Sequence, residues 1–268
     1  MLSTIKSISS RATSAVVAWA FLSSLVNAGH YDVVPYATGT GAGSQLLLGG
    51  HDDSGELPTE QNISVFGYDF GETEANYAGH PGFNNGSTFT AGVFPNDGKL
   101  PSGNLMLSVF SGTYGSLRYW DGTGEANFVP VTGGIEINLN RGGSNLRVGA
   151  TTTSGAVTIA AVPAVGLTAG RVHQHLTTSI GEGGSGSSFA ALGAPDGLYA
   201  FGATLSVGGL VSDPIYFVFN QGMSEAIHDV GIDFYSAHAV PEPSSIALAG
   251  LGVAGLAGAA LRRRMRKQ

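Results

Sequence analysis

Between residues 29 and 239 the apolar positions of this chain recur every second residue or run unbroken, and do not follow a helical period. Seven stretches read as strands on that basis: NISVFGYDF (62–70), NLMLSVF (104–110), GIEINLN (134–140), AVTIAAV (156–162), RVHQHLTTSI (171–180), GLYAFGATLSV (197–207) and IYFVFN (215–220). The last follows a turn at Asp213-Pro214 and reads as a buried strand. Asn85-Gly86, Asp97-Gly98, Asp121-Gly122 and Asp196-Gly197 supply turn signals, and 42 glycines in 268 residues point to many more. TGTGAGS (38–44) and GEGGSGSS (181–188) are loops by composition. Gly-His recurs at 29–30, 50–51 and 79–80 with unlike flanks, so it marks three loops and no repeat. No window of a dozen residues carries an amphipathic helical pattern. The expected fold is all-β, a sandwich or jelly-roll-like domain over 29–239.

Both flanks of that domain differ from it. Lys6 and Arg11 sit in an acid-free start, residues 12–26 are mostly apolar, and Val26-Asn27-Ala28 suits signal peptidase. That pattern predicts a signal peptide over 1–28, handled by the Sec machinery and removed after Ala28. At the other end, residues 244–261 are 18 positions without a charge. A helix there would reach roughly 27 Å, enough for a thin hydrocarbon core. Pro241 and Pro243 cannot continue it backward, and Arg262, Arg263, Arg264, Arg266 and Lys267 would stay cytoplasmic. The expectation is an exported domain tethered by one transmembrane helix. Gly250, Gly252, Gly255 and Gly258 weaken that span, and Gly250, Ala254 and Gly258 offer a small-residue face. Such a segment suits transient recognition inside the membrane better than permanent anchoring.

Pro241-Glu242-Pro243, the small apolar segment and the basic tail, in that order over 240–268, closely resemble the PEP-CTERM sorting signal of Gram-negative, exopolysaccharide-producing bacteria. The resemblance covers about a tenth of the chain. It implies recognition by an exosortase, a membrane cysteine transpeptidase, with processing near the motif and release or transfer to the cell surface.

Between residues 29 and 240 only Lys99, Arg118, Arg141, Arg147 and Arg171 face 18 of the 19 acids. Five cations against 18 anions give a formal charge of −13, which the −7 of the full chain conceals. Such a surface repels nucleic acid and attracts cations. The chain has no cysteine, which excludes disulfides, thiolate metal sites and a cysteine nucleophile.

His173-Gln174-His175 is the sharpest candidate site. Residues two apart on a strand share a face, so both imidazoles can converge on one zinc or copper ion. A third ligand would come from His51, His80 or His228, or from a carboxylate. The competing reading is a histidine pair on a solvent-facing or satisfied strand face. GGHDDSGE (49–56) gathers His51, Asp52, Asp53 and Glu56, either as calcium ligands or as a solvated acidic turn. Trp120 is either a core residue or a platform that stacks on extracellular polysaccharide. No G-x-S-x-G, H-E-x-x-H, Walker or dinucleotide motif occurs. A non-catalytic structural or binding role at the cell surface is therefore expected. The alternatives are a metal-binding envelope protein using His173 and His175, and a secreted hydrolase without a recognisable motif.

Overall fold

The computed structural model describes residues 31–52, 58–71, 74–110, 112–151, 153–182 and 193–238. The expected signal peptide, the 244–261 span, Pro241-Glu242-Pro243 and the basic tail lie outside these residues. Among the described residues, no helix is long and apolar enough to cross a membrane.

Strands are numbered in chain order and form three sheets. The first runs, in space, β14 (His173–His175), β6 (Gly82–Asn84), β1 (Tyr31–Ala37), β2 (Leu46–Asp52) and β3 (Glu60–Gln61). The second runs β12 (Thr153–Ser154), β11 (Ser144–Val148), β10 (Ile135–Arg141), β15 (Thr177–Glu182) and β5 (Tyr77–Ala78). The third runs β13 (Val157–Val162), β7 (Gly103–Val109), β16 (Gly197–Val207), β18 (Ile215–Gln221) and β4 (Val65–Asp69). β17 (Leu210–Val211) and β8 (Arg118–Trp120) also pair with β16, and β9 (Val129–Pro130) pairs with β8. Pairing is antiparallel except at β1 with β6 and β18 with β4. The architecture is sandwich-like and dominated by β-structure, as the period-two reading requires.

Alternation along β16 and β18 builds two core layers. Tyr199, Phe201, Ala203, Ile215, Phe217 and Phe219 point into a large cluster shared with Val33 of the first sheet and Ile137 and Leu139 of the second. Leu198, Ala200, Tyr216 and Val218 point the other way, against Trp120, Phe128, Ile232 and Tyr235. An unbroken apolar run is what a strand covered on both faces needs.

The cover on that second face corrects the all-strand expectation. It is an α-helix, Glu225–His238, here called α2 and, among the described residues, the second after the single turn α1 (Ser87–Thr90). Its buried stripe is His228, Gly231, Ile232 and Tyr235. A histidine and a glycine hold two of the four core-facing positions, so the apolar period is disguised. Gly231 is there for closeness: a Cβ would overlap Leu198 and meet Phe128 at 3.4 Å. The helix gives up roughly 1 kcal/mol of propensity at that position and gains tight docking.

Two further expectations change. Residues 171–180 are not one strand, because the chain passes from the first sheet to the second at Leu176. Leu176 is buried in the shared core, and its N–H donates to the Pro81 carbonyl at 3.1 Å, outside either ladder. The stretch entering β14 is pinned by buried Asn85, whose Oδ1 accepts from Val172 N at 2.6 Å. The Asn85 Nδ2 donates to Gly98 O at 2.7 Å and Gly170 O at 2.9 Å. His51 and Asp52, expected in an acidic loop, instead end β2 opposite Asp32 and Tyr31. Pairing with β1 satisfies that backbone and buries Asp52. Asp53 and Glu56 lie outside the described residues.

Candidate functional site

Strand register decides which groups meet at His173-Gln174-His175. β14 runs antiparallel to β6 with His175 opposite Gly82 and His173 opposite Asn84. β6 runs parallel to β1 with Phe83 opposite Val33, which sets Gly82 beside Asp32. Asp32, Gly82 and His175 thus form one row across three strands. Gly82 has no side chain to fill the middle of that row, and a Cβ there would overlap Asp32 Oδ1 and stand 2.8 Å from His175 Cε1. The bare position lets the carboxylate of β1 reach the imidazole of β14.

The result is a three-residue cluster. One ligand atom from each of Asp32, His173 and His175 lies within 4.8 Å of the others. The two rings share a face of β14, with centroids 5.5 Å apart. Gln174 takes the opposite face, where Arg141 of β10 donates to its Oε1. His175 Nδ1 lies 3.3 Å from the Gly79 carbonyl oxygen, which only accepts, so Nδ1 carries the ring proton. In the neutral ring Nε2 turns its lone pair toward Asp32 Oδ2, 3.7 Å away. That is longer than the about 2.7–2.9 Å of a charge-assisted hydrogen bond. It is close to the roughly 3.4 Å between two atoms bound tetrahedrally to one zinc at about 2.0–2.2 Å. The Asp32 side chain is 3% exposed and that of His175 41%, so the carboxylate forms the floor and the imidazoles the rim.

Beside the cluster lies an open cleft of about 440 Å³, lined by His51, Asn84, Phe89, Arg171 and His173 among others. His173 belongs to both cleft and cluster. A metal held by two imidazoles and one carboxylate keeps a fourth position for water or for a ligand. A cleft ligand would approach that position.

The other residues singled out in the sequence fall elsewhere. His51 stacks on Phe89 with centroids 3.6 Å apart, and its Nδ1 lies 2.9 Å from Thr59 Oγ1. His80 stacks on Tyr68 and meets the edge of His175 at 5.7 Å, outside the ligand group. His228 belongs to α2. Trp120 is 5% exposed, packs on Phe128 and donates its indole N–H to Thr123 O at 3.1 Å. Its ring is a core element with no open face for a sugar. Sequence reasoning left the carboxylate unnamed; the missed candidate, Asp32, is a buried charge in an otherwise apolar strand, YDVVPYA. That pattern is the signal that could have found it.

No curated protein and no solved structure matches the chain. The PEP-CTERM protein-sorting motif matches residues 239–264. This chain therefore carries a PEP-CTERM sorting signal, the kind recognised by an exosortase, which directs export to the cell envelope or surface.

Proposed function

We propose that this is an exported surface protein whose folded body binds a divalent transition metal, zinc first, in a non-catalytic role. The signal peptide takes the chain through the Sec machinery, and the 244–261 helix holds it in the inner membrane for a time. Exosortase then processes it near Pro241-Glu242-Pro243. The observation that carries the metal reading is the row of Asp32, Gly82 and His175 with His173 beside it, which supplies a nitrogen-nitrogen-oxygen ligand set. Zinc takes that set readily, and copper is the competing ion by affinity. The strongly acidic body favours cations at the surface.

Metal content of the purified full-length protein tests this reading. One equivalent of zinc should be lost on His173→Ala with His175→Ala, and also on Asp32→Asn, with circular dichroism unchanged. Equal zinc in the wild type and all variants would overturn it.

A further inference from the structure

A second group of donors joins α2 to β4. Asp69, Glu225 and His228 each bring one ligand atom within 4.8 Å of the others. Glu225 and His228 are three residues apart on one face of the helix. Asp69 is two residues beyond Gly67, so it projects from β4 on the side that α2 covers. Gly67 makes room for the ring: a Cβ there would stand 3.0 Å from both Cε1 and Nε2 of His228 and 2.5 Å from Ile232 Cδ1.

The His228 ring has one orientation of its proton. Nε2 lies 3.0 Å from the Val218 carbonyl oxygen, so Nε2 is the donor, and in the neutral ring Nδ1 carries the lone pair. His228 is 2% exposed, and Nδ1 makes no hydrogen bond. It points at Asp69 Oδ1, 3.5 Å away. A lone pair facing a carboxylate is repulsive unless a proton or a metal ion joins them, and a third ligand atom from Glu225 within 4.8 Å favours the metal. A backbone carbonyl holding the far ring nitrogen is also how metal-bound histidines are oriented. The spacing again approximates two vertices of a zinc tetrahedron, roughly 3.4 Å apart.

We propose that Asp69, Glu225 and His228 form a second divalent-metal site, one that clamps α2 onto the third sheet. Zinc suits one imidazole and two carboxylates with water in the remaining position. The positive end of the helix opposes the ion with about half a charge, while two carboxylates supply four times that in the opposite sense. The side chain of Asp69 is 21% exposed and Glu225 faces solvent, so the ion enters over the carboxylates and ends on the buried nitrogen. This site shares no residue with the first and does not rest on it.

The test uses full-length protein carrying His173→Ala and His175→Ala, titrated with zinc alone. One equivalent should still bind, and adding Glu225→Gln, an exposed change in the first helical turn, should weaken it at least tenfold. In nitrogen-15 NMR, zinc should shift His228 Nδ1 while Nε2 keeps its proton. No zinc bound by the double variant, equal affinity after Glu225→Gln, or a doubly protonated His228 ring in saturating zinc would each overturn the proposal. If wild type and the double variant bind the same amount, the first site fails and this one stands.

Discussion

The Tyr68 hydroxyl donates to the Tyr31 carbonyl oxygen at 2.8 Å, tying β4 of the third sheet to β1 of the first. Tyr68 is fully buried, and burial, with the Asp32 charge adding to it, pushes its phenol well above the usual range. Burial raises Tyr199 and Tyr235 in the same direction. These phenols keep their protons in the fold, while the unfolded chain releases them near pH 10. The folded state then binds more protons, so their stabilisation is whole below about pH 10 and declines as pH rises further. Urea midpoints should fall above that pH. Tyrosinate absorbance should rise in two stages, the second together with loss of circular dichroism. A single stage completed before unfolding contradicts this.

Gly82→Ala places a methyl where Asp32 Oδ1 sits. The carboxylate must move, which separates it from His175 and should abolish zinc binding at the first cluster. Overpacking of this kind costs about 1–3 kcal/mol. Gly41→Ala is the control, since nothing lies within 4 Å of its Cβ position and it lies past the far end of β1 from Asp32. Calorimetric titration of both variants with zinc decides it.

Asn85 satisfies three buried backbone groups, from Gly98, Gly170 and Val172. Replacement by Ala removes the side-chain partner of Gly98 O and Val172 N at about 1–3 kcal/mol each, while Gly170 O keeps the Leu100 N–H at 3.0 Å. The midpoint of chemical unfolding should drop accordingly. Zinc affinity at His173 should drop as well, because Asn85 fixes the residue that precedes β14 in the chain.

Trp120→Ala should cost about 3–5 kcal/mol, the range for emptying a large aromatic site in a core. Val129→Ala, on neighbouring β9 and 46% exposed, should stay within about 0.5 kcal/mol of wild type. Similar unfolding midpoints for the two variants would contradict the burial of the indole.

The linear motif and the strand periods were legible because each is a local pattern. Order along the chain alone defines the sorting signal, and period two alone puts His173 and His175 on one face. Asp32 was illegible because its meeting with His175 depends on how β1, β6 and β14 line up, which no local window contains. The break at Leu176 is hidden for the same reason: both halves alternate correctly, but they pair with different sheets. α2 was illegible for a chemical reason. Two of its four inward positions are His228 and Gly231, which hydropathy scores as polar or neutral, although the fold uses them for a hydrogen bond to Val218 and for close approach to Leu198.

α2 ends at His238, and the sorting motif begins at residue 239. The two are adjacent in the sequence. If the 244–261 segment tethers the protein as proposed, tension on it would reach directly the element that seals Leu198, Ala200 and Val218 from water. Peeling that helix would bare a greasy surface, so the strength of its grip on β4 would set how much pulling the folded body survives on such a tether.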